Sequence, residues 1–148
     1  MSNTARVSIA KALAEALKSI DGSVGYNTNI YNNAFAKLKF WDEVNDFPSI
    51  YMSTGTETRD YLPGGFKWGF INISLKAYVK DSEDPTQQLE YLLEDIEKVI
   101  DNNRTLIYDT ATNAQTVEIL INSIVTDEGL LVPYGVGEIN ITVQYPVL

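Results

Sequence analysis

The sequence predicts an α+β domain: a mostly antiparallel or mixed sheet of about five strands, two helices on one face, in the order α-β-β-β-α-β-β. Three stretches carry this reading. Ile71, Ile73, Leu75, Ala77 and Val79 alternate with Asn72, Ser74, Lys76, Tyr78 and Lys80, the period of two of a long strand with one wet face. Leu89, Leu92, Leu93, Ile96, Val99 and Ile100 fall on one stripe of a 3.6-residue helix. Ile139, Ile141, Val143 and Tyr145 alternate with Glu138, Asn140, Thr142 and Gln144. An apolar sheet face and an apolar helix stripe bury each other, so these stretches belong to one core.

Taken in order, residues 5–20 form a first helix. Ile9, Leu13, Ala16, Leu17 and Ile20 make its stripe, Asn3 or Thr4 caps it, and Asp21-Gly22 ends it. Residues 21–33, rich in Asn and Gly, are a loop. Its Val24, Tyr26, Ile30 and Tyr31 imply that it lies against either its own domain or a neighbouring subunit. Residues 34–41 read as a strand, 42–46 as an acidic connection, and Phe47-Pro48 opens a second strand through about Thr54. Residues 55–66, with Gly55, Pro63, Gly64 and Gly65, read as a long hairpin loop before the strand that ends at Lys80. Asp84 as N-cap, Pro85 at the first helical position and Gln87 as a capping-box partner start the second helix. Residues 103–115 read as polar and irregular. In the fourth strand Val117, Ile119, Ile121 and Val125 take one face, and Glu118, Leu120, Asn122 and Ile124 the other. Residues 126–129 turn and 130–135 connect to the last strand.

At 148 residues the chain is expected to form a single domain spanning 1–148. A chain of this size can bury roughly 70% of its unfolded surface without a staple. It has no Cys and no His, which removes disulfides, thiolate metal sites, cysteine nucleophiles and the Ser-His-Asp arrangement. An enzyme is not expected. The net charge of −9 and the absence of a basic stripe argue against a duplex-DNA binder or an anionic-membrane binder. No long apolar run marks a signal peptide or membrane span, so manufacture in a reducing cytoplasm is expected.

The chemistry-bearing clusters have plainer readings. Asp42, Glu43 and Asp46 lack calcium-loop spacing and read as a solvated turn. Asp81, Glu83 and Asp84 sit where a helix N-terminus favours negative charge. Gly64-Gly65 with Lys67 leads into a strand rather than a helix, so it is not a phosphate cradle. No cofactor, metal or catalytic residue is assigned. Residues 55–68 differ. A connection of this length is usually functional or disordered, and this one holds Glu57, Arg59, Tyr61, Leu62, Phe66 and Trp68. Aromatic residues and Arg are enriched at interfaces, so the segment reads as a contact surface, the alternative being a loop folded back over its own sheet.

The run from Phe40-Trp41-Asp42-Glu43-Val44 through Asn45-Asp46-Phe47-Pro48-Ser49-Ile50, then Gly55-Thr56-Glu57, Trp68 with its alternating strand, and the closing Ile139-to-Tyr145 strand resembles the tail terminator proteins of long-tailed bacteriophages, nearest the minor tail protein U group. The resemblance implies a virion protein, made in the host bacterial cytoplasm. It implies a homohexameric ring on the head-proximal end of the tail tube, which stops tube polymerisation and docks the head-completion or neck protein. The implied partners are the major tail tube protein, the connector and copies of the chain itself, with DNA passing through the lumen unbound and no membrane. The acidic balance fits such a lumen, since negative walls repel phosphate. Another head–tail connector ring or a small ligand-binding α+β module are the alternatives. A closed ring needs two different patches per subunit. The 55–66 loop with Leu120 and Ile124 is the candidate for one, and the 21–33 loop with Tyr26 and Tyr31 for the other.

Overall fold

The computed structural model describes residues 4–147. The elements are α1 (Ala5–Leu17), β1 (Ala34–Phe35), a 3-10 turn (Trp41–Glu43), β2 (Ser49–Leu62), β3 (Phe66–Lys80), α2 (Pro85–Asn102), β4 (Ile107–Asp109), β5 (Ala114–Gln115), β6 (Glu118–Thr126) and β7 (Tyr134–Pro146). Five strands form one sheet in the order β1-β2-β3-β7-β6, and β4-β5 form a small second ladder. β1 runs parallel to β2, and the other pairs are antiparallel. The expected α+β mixed sheet is therefore present.

Both helices lie on one sheet face. Ile9, Leu13 and Leu17 of α1 and Leu89, Leu92, Ile96, Val99 and Ile100 of α2 join Ile71, Ile73, Leu75, Ile139, Ile141 and Val143 in one buried cluster. α2 approaches β7 closely because glycine leaves room: a Cβ at Gly137 would lie 3.1 Å from both Leu89 and Leu93. Thr4 caps α1, its Oγ1 accepting from the Val7 amide; Asn3, the alternative cap, lies outside the described residues. α1 ends at Leu17, and Ser19 and Ile20 close its last turn with bonds to Ala16 and Leu17. Asp84 caps α2 by accepting from the Gln87 amide at 3.0 Å. The reciprocal bond expected from the Gln87 side chain is replaced: the Asp84 amide donates to Asp81, as does that of Glu83. These two amides hold the Asp81 carboxyl below its ordinary pKa.

Four expectations are corrected. The strand at 34–41 is only two residues long. Past Phe35 the chain keeps one edge contact, the Lys37 carbonyl accepting from the Met52 amide at 2.9 Å, and then crosses to the face opposite the helices, where Phe35, Val44 and Phe47 pack with Tyr51, Tyr78 and Val136. Tyr78 donates to the Lys39 carbonyl at 2.6 Å and Tyr51 to Asp46 at 3.0 Å, which fixes this flap. Residues 55–66 are not a long loop: β2 and β3 continue through them and leave only Pro63-Gly64-Gly65 as the turn. Residues 103–115 are ordered by the β4-β5 ladder. A two-pronged Arg104–Glu118 pair and Thr116, which accepts from the Leu106 amide and donates to the Arg104 carbonyl, hold them in place.

The fourth correction concerns β6. Ile119 and Ile121 pair with Val143 and Ile141, but Ser123 pairs with Asn140 and Ile124 with Ile139. The extra residue, Asn122, makes a bulge that reverses the alternation. Ile124 therefore lies on the helix side and Val125 on the opposite face with Leu120, contrary to simple period-two counting.

Candidate functional site

Beyond the sheet body, β2 and β3 form a ribbon-like arm. Its register runs from Thr58↔Phe70 to Leu62↔Phe66, while β7 ends beside it at the Trp68↔Pro146 pair. Residues directly opposite in a ladder share a face. Leu62, Phe66, Trp68 and Phe70 thus form a stripe on the face away from the helices. Glu57, Arg59 and Tyr61 lie on the helix side, where Lys67 sits over the Tyr61 ring. At the tip, Tyr61 is 73% and Phe66 69% exposed, Leu62 is exposed, and Trp68 is half-buried.

Glu57 departs from this pattern. Its side chain is only 5% exposed, and it receives Arg6 at 3.1 Å, Tyr145 Oη at 2.7 Å and Arg59. Arg6 also donates to the Gly55 carbonyl at 2.7 Å. The β2 bulge between Thr54 and Glu57 places this carboxylate at the root of the arm, where α1, β2 and β7 meet. Gly69, opposite Tyr145, lets that ring lie flat on the strand: a Cβ there would come within 2.5 Å of it.

The remaining sequence-chosen residues are scattered. Residues 21–33 lie on their own domain. Asp95 of α2, fully buried, accepts from the amides of Asn27 and Thr28 and from Thr28 Oγ1 at 2.6 Å. Tyr26 packs at the core margin beneath Lys98, whereas Tyr31 is exposed at positive φ. Leu120 and Ile124 are both exposed, but they sit on β6, at the opposite sheet edge from β2 and on different faces. They do not form one patch with the arm.

Several surface features escaped the sequence reading. Phe70 continues the Phe66-Trp68 alternation and was findable by extending it. Leu130, 83% exposed, and Val132 project from the β6–β7 connection, at the sheet end opposite the arm. Three consecutive apolar residues in a loop, Leu130-Leu131-Val132, were the available signal. Arg6 and Tyr145 carried none, because only the fold brings them to Glu57. On the face away from the helices, side-chain rungs cross three strands: Asn122–Thr142–Asn72 and Ser123–Asn140–Ser74, with Lys76 paired to Glu138. No group of His, Cys, Asp or Glu side chains among the described residues is placed to hold a metal ion. No helix among them is long and apolar enough to cross a membrane.

The sheet thus carries exposed apolar side chains at both ends, at the arm tip and in the Leu130–Val132 loop. The family model of bacteriophage tail tube terminator proteins matches residues 3–147, and the chain belongs to that family of virion proteins, which are structural and not enzymes. It is 40% identical to the tail tube terminator protein p142 of Escherichia phage T5 over 149 aligned residues, covering 95% of this chain and 92% of that protein. A chain from the virion of a native gene transfer agent particle shares the fold with a TM-score of 0.60 at 8% identity, covering 99% of this chain and all of that one.

Proposed function

We propose that the chain forms a homohexameric ring on the head-proximal end of the tail tube, ends tube polymerisation there and presents a docking face to the head-completion or neck protein. The carrying observation is the projecting arm with its exposed apolar tip, seen in a chain of the tail tube terminator family. β3 alone spans about 45 Å at the usual strand rise, with the arm at one of its ends and the Leu130–Val132 loop beyond the other. Such a subunit can hold one neighbour along the tail axis at each end. The arm residues Arg59, Tyr61, Leu62, Phe66 and Trp68 serve contact with the tube or an adjacent subunit, set in place by Glu57. DNA passes through the lumen without specific binding, in keeping with the net charge of −9.

The test is polymerisation of the tail tube protein with and without the purified chain, read by negative-stain electron microscopy. Short tubes, each closed at one end by a six-fold ring, are expected. Tubes of unchanged length with bare ends would overturn the reading, and rings that bind only the connector would move the chain to a neck role. A ring whose inner wall is basic would overturn the proposal for the DNA path.

A further inference from the structure

The charges are unevenly divided along the chain, and the sheet order turns that division into geometry. Residues 1–80 carry nine Lys and Arg against seven Asp and Glu, whereas residues 81–148 carry two against thirteen. α1, β1 and β2 build one edge of the domain, while β6, with α2 over β3 and β7, builds the other. Each edge has a groove on the helix side of the sheet. One lies between α1 and the β1–β2 edge and is lined by Arg6, Val7, Lys11, Lys37 and Leu38. The other lies between α2 and β6 and is lined by Glu90, Tyr91, Glu94, Glu97 and Ile124. Ile124 reaches it only because the Asn122 bulge turns that side chain to the helix side.

The two grooves are chemical counterparts. Lys11 and Lys37 form no ion pair among the described residues, nor do Glu90 and Glu97. Arg6 is offset by Glu57, and Glu94 receives one long bond from Asn27. Each groove also exposes two apolar side chains: Val7 and Leu38 on the basic side, Tyr91 and Ile124 on the acidic side.

We propose that the basic α1–β2 groove of one copy receives the acidic α2–β6 groove of the next copy. A two-fold contact through either groove alone would set like charges against each other. A head-to-tail contact sets opposite charges together, and it is the type of contact that closes into a ring by rotation. Both grooves open on the same side of the sheet, so successive copies keep their helices on the same side of the ring wall. This inference rests on the ring reading above and specifies which surfaces close it.

Charge reversal tests it. Lys11→Glu with Lys37→Glu makes both edges acidic, and Glu90→Lys with Glu97→Lys makes both basic. All four sites are exposed, so each variant should melt close to the parent. Each variant alone should lose the ring in native mass spectrometry. An equimolar mixture should regain a ring of equal composition with an even number of subunits, because the two variants can only alternate. Rings from either variant alone, or no ring from the mixture while the parent forms one, would overturn the groove pairing and leave the ring intact. A parent chain that closes no ring, free or on tube ends, would overturn the ring reading itself and the pairing with it.

Discussion

Tyr145 Oη donates to the Glu57 carboxylate at 2.7 Å across 88 residues of sequence, tying the root of the arm to the end of the last strand. Arg6 and Arg59 bind the same carboxylate, so one nearly buried anion organises two cations and a phenol from three elements. The direction in which the arm leaves the sheet is set here.

Glu57→Ala leaves two guanidinium groups facing each other and a phenol without its acceptor. Breaking a buried pair costs roughly 3–5 kcal/mol. Each arginine keeps about a third of its side chain in water, which lowers the expected loss to about 2 kcal/mol. For a chain of this size that is a fall in Tm of about 4–8 °C, measurable by thermal unfolding. Glu57→Gln keeps the shape and one acceptor and should fall less. A Glu57→Ala variant that melts with the parent would show that the cluster adds nothing to stability.

The body of the fold was legible because its signals are periodic and local. The stripes of α1 and α2, the alternation of β3 and β7, and the Asp84-Pro85 helix start each follow from neighbours in sequence. The arm stood out in the sequence by its aromatic and Arg content, but its shape was not legible. Glu57, Arg59 and Tyr61 alternate with Thr58, Asp60 and Leu62, and with polar residues on both faces the alternation does not show as hydrophobicity, so an exposed ribbon read as a loop. The Asn122 bulge was invisible because either parity of β6 places apolar residues on both faces. The Glu57 cluster and the Asp95 contact join residues 51 to 88 positions apart, and no local pattern reports such pairs.

Asp95 is the second anion on which a segment depends. It places a carboxylate among the buried residues of α2 and takes up both backbone amides and the hydroxyl of the Asn27-Thr28 turn. Asp95→Ala leaves the buried Thr28 groups without an acceptor, at a cost of about 1–3 kcal/mol. Hydrogen exchange should then rise across residues 24–31 while β3 and β7 keep their protection. Uniform exchange in parent and variant would mean that the loop is held by Ile30 and Tyr26 packing instead.

Tyr51 and Tyr78 sit under the 39–47 flap, and burial raises both phenols to about 12. The acceptor Asp46 adds to the rise at Tyr51, and the charges of Glu138, Asp42 and Glu43 add to it at Tyr78. In the unfolded chain a tyrosine titrates near 10. Between pH 10 and 12 the folded state therefore holds more protons than the unfolded one, and stability falls as pH rises through that window. Below pH 10 the contribution is fully present. Denaturation in urea at pH 9 and at pH 11 should show this loss, and Tyr51→Phe, which has no phenol to ionise, should show a smaller pH-dependent drop. An equal drop in parent and variant would assign the alkaline sensitivity elsewhere.

The arm tip separates assembly from folding. Tyr61 and Leu62 are exposed, they lie on opposite faces of the ribbon, and neither belongs to a buried cluster. Their replacement should change monomer stability by no more than about 0.5 kcal/mol each, the usual range for surface sites. Tyr61→Ala with Leu62→Ala should nevertheless weaken assembly, because an aromatic anchor such as Tyr61 carries a large share of contact energy once a partner covers it, and Leu62 adds buried apolar area. Thermal melts of the double variant should overlay the parent, while native mass spectrometry shows fewer closed rings and sedimentation with tail tubes recovers less protein. Retention of both rings and tube binding would remove the tip from the interface and leave the charged grooves as the contact that closes the ring. Loss of tube binding with intact rings would place the tip on the tube and not between subunits, a division that follows from the two faces of the ribbon being free to serve different neighbours.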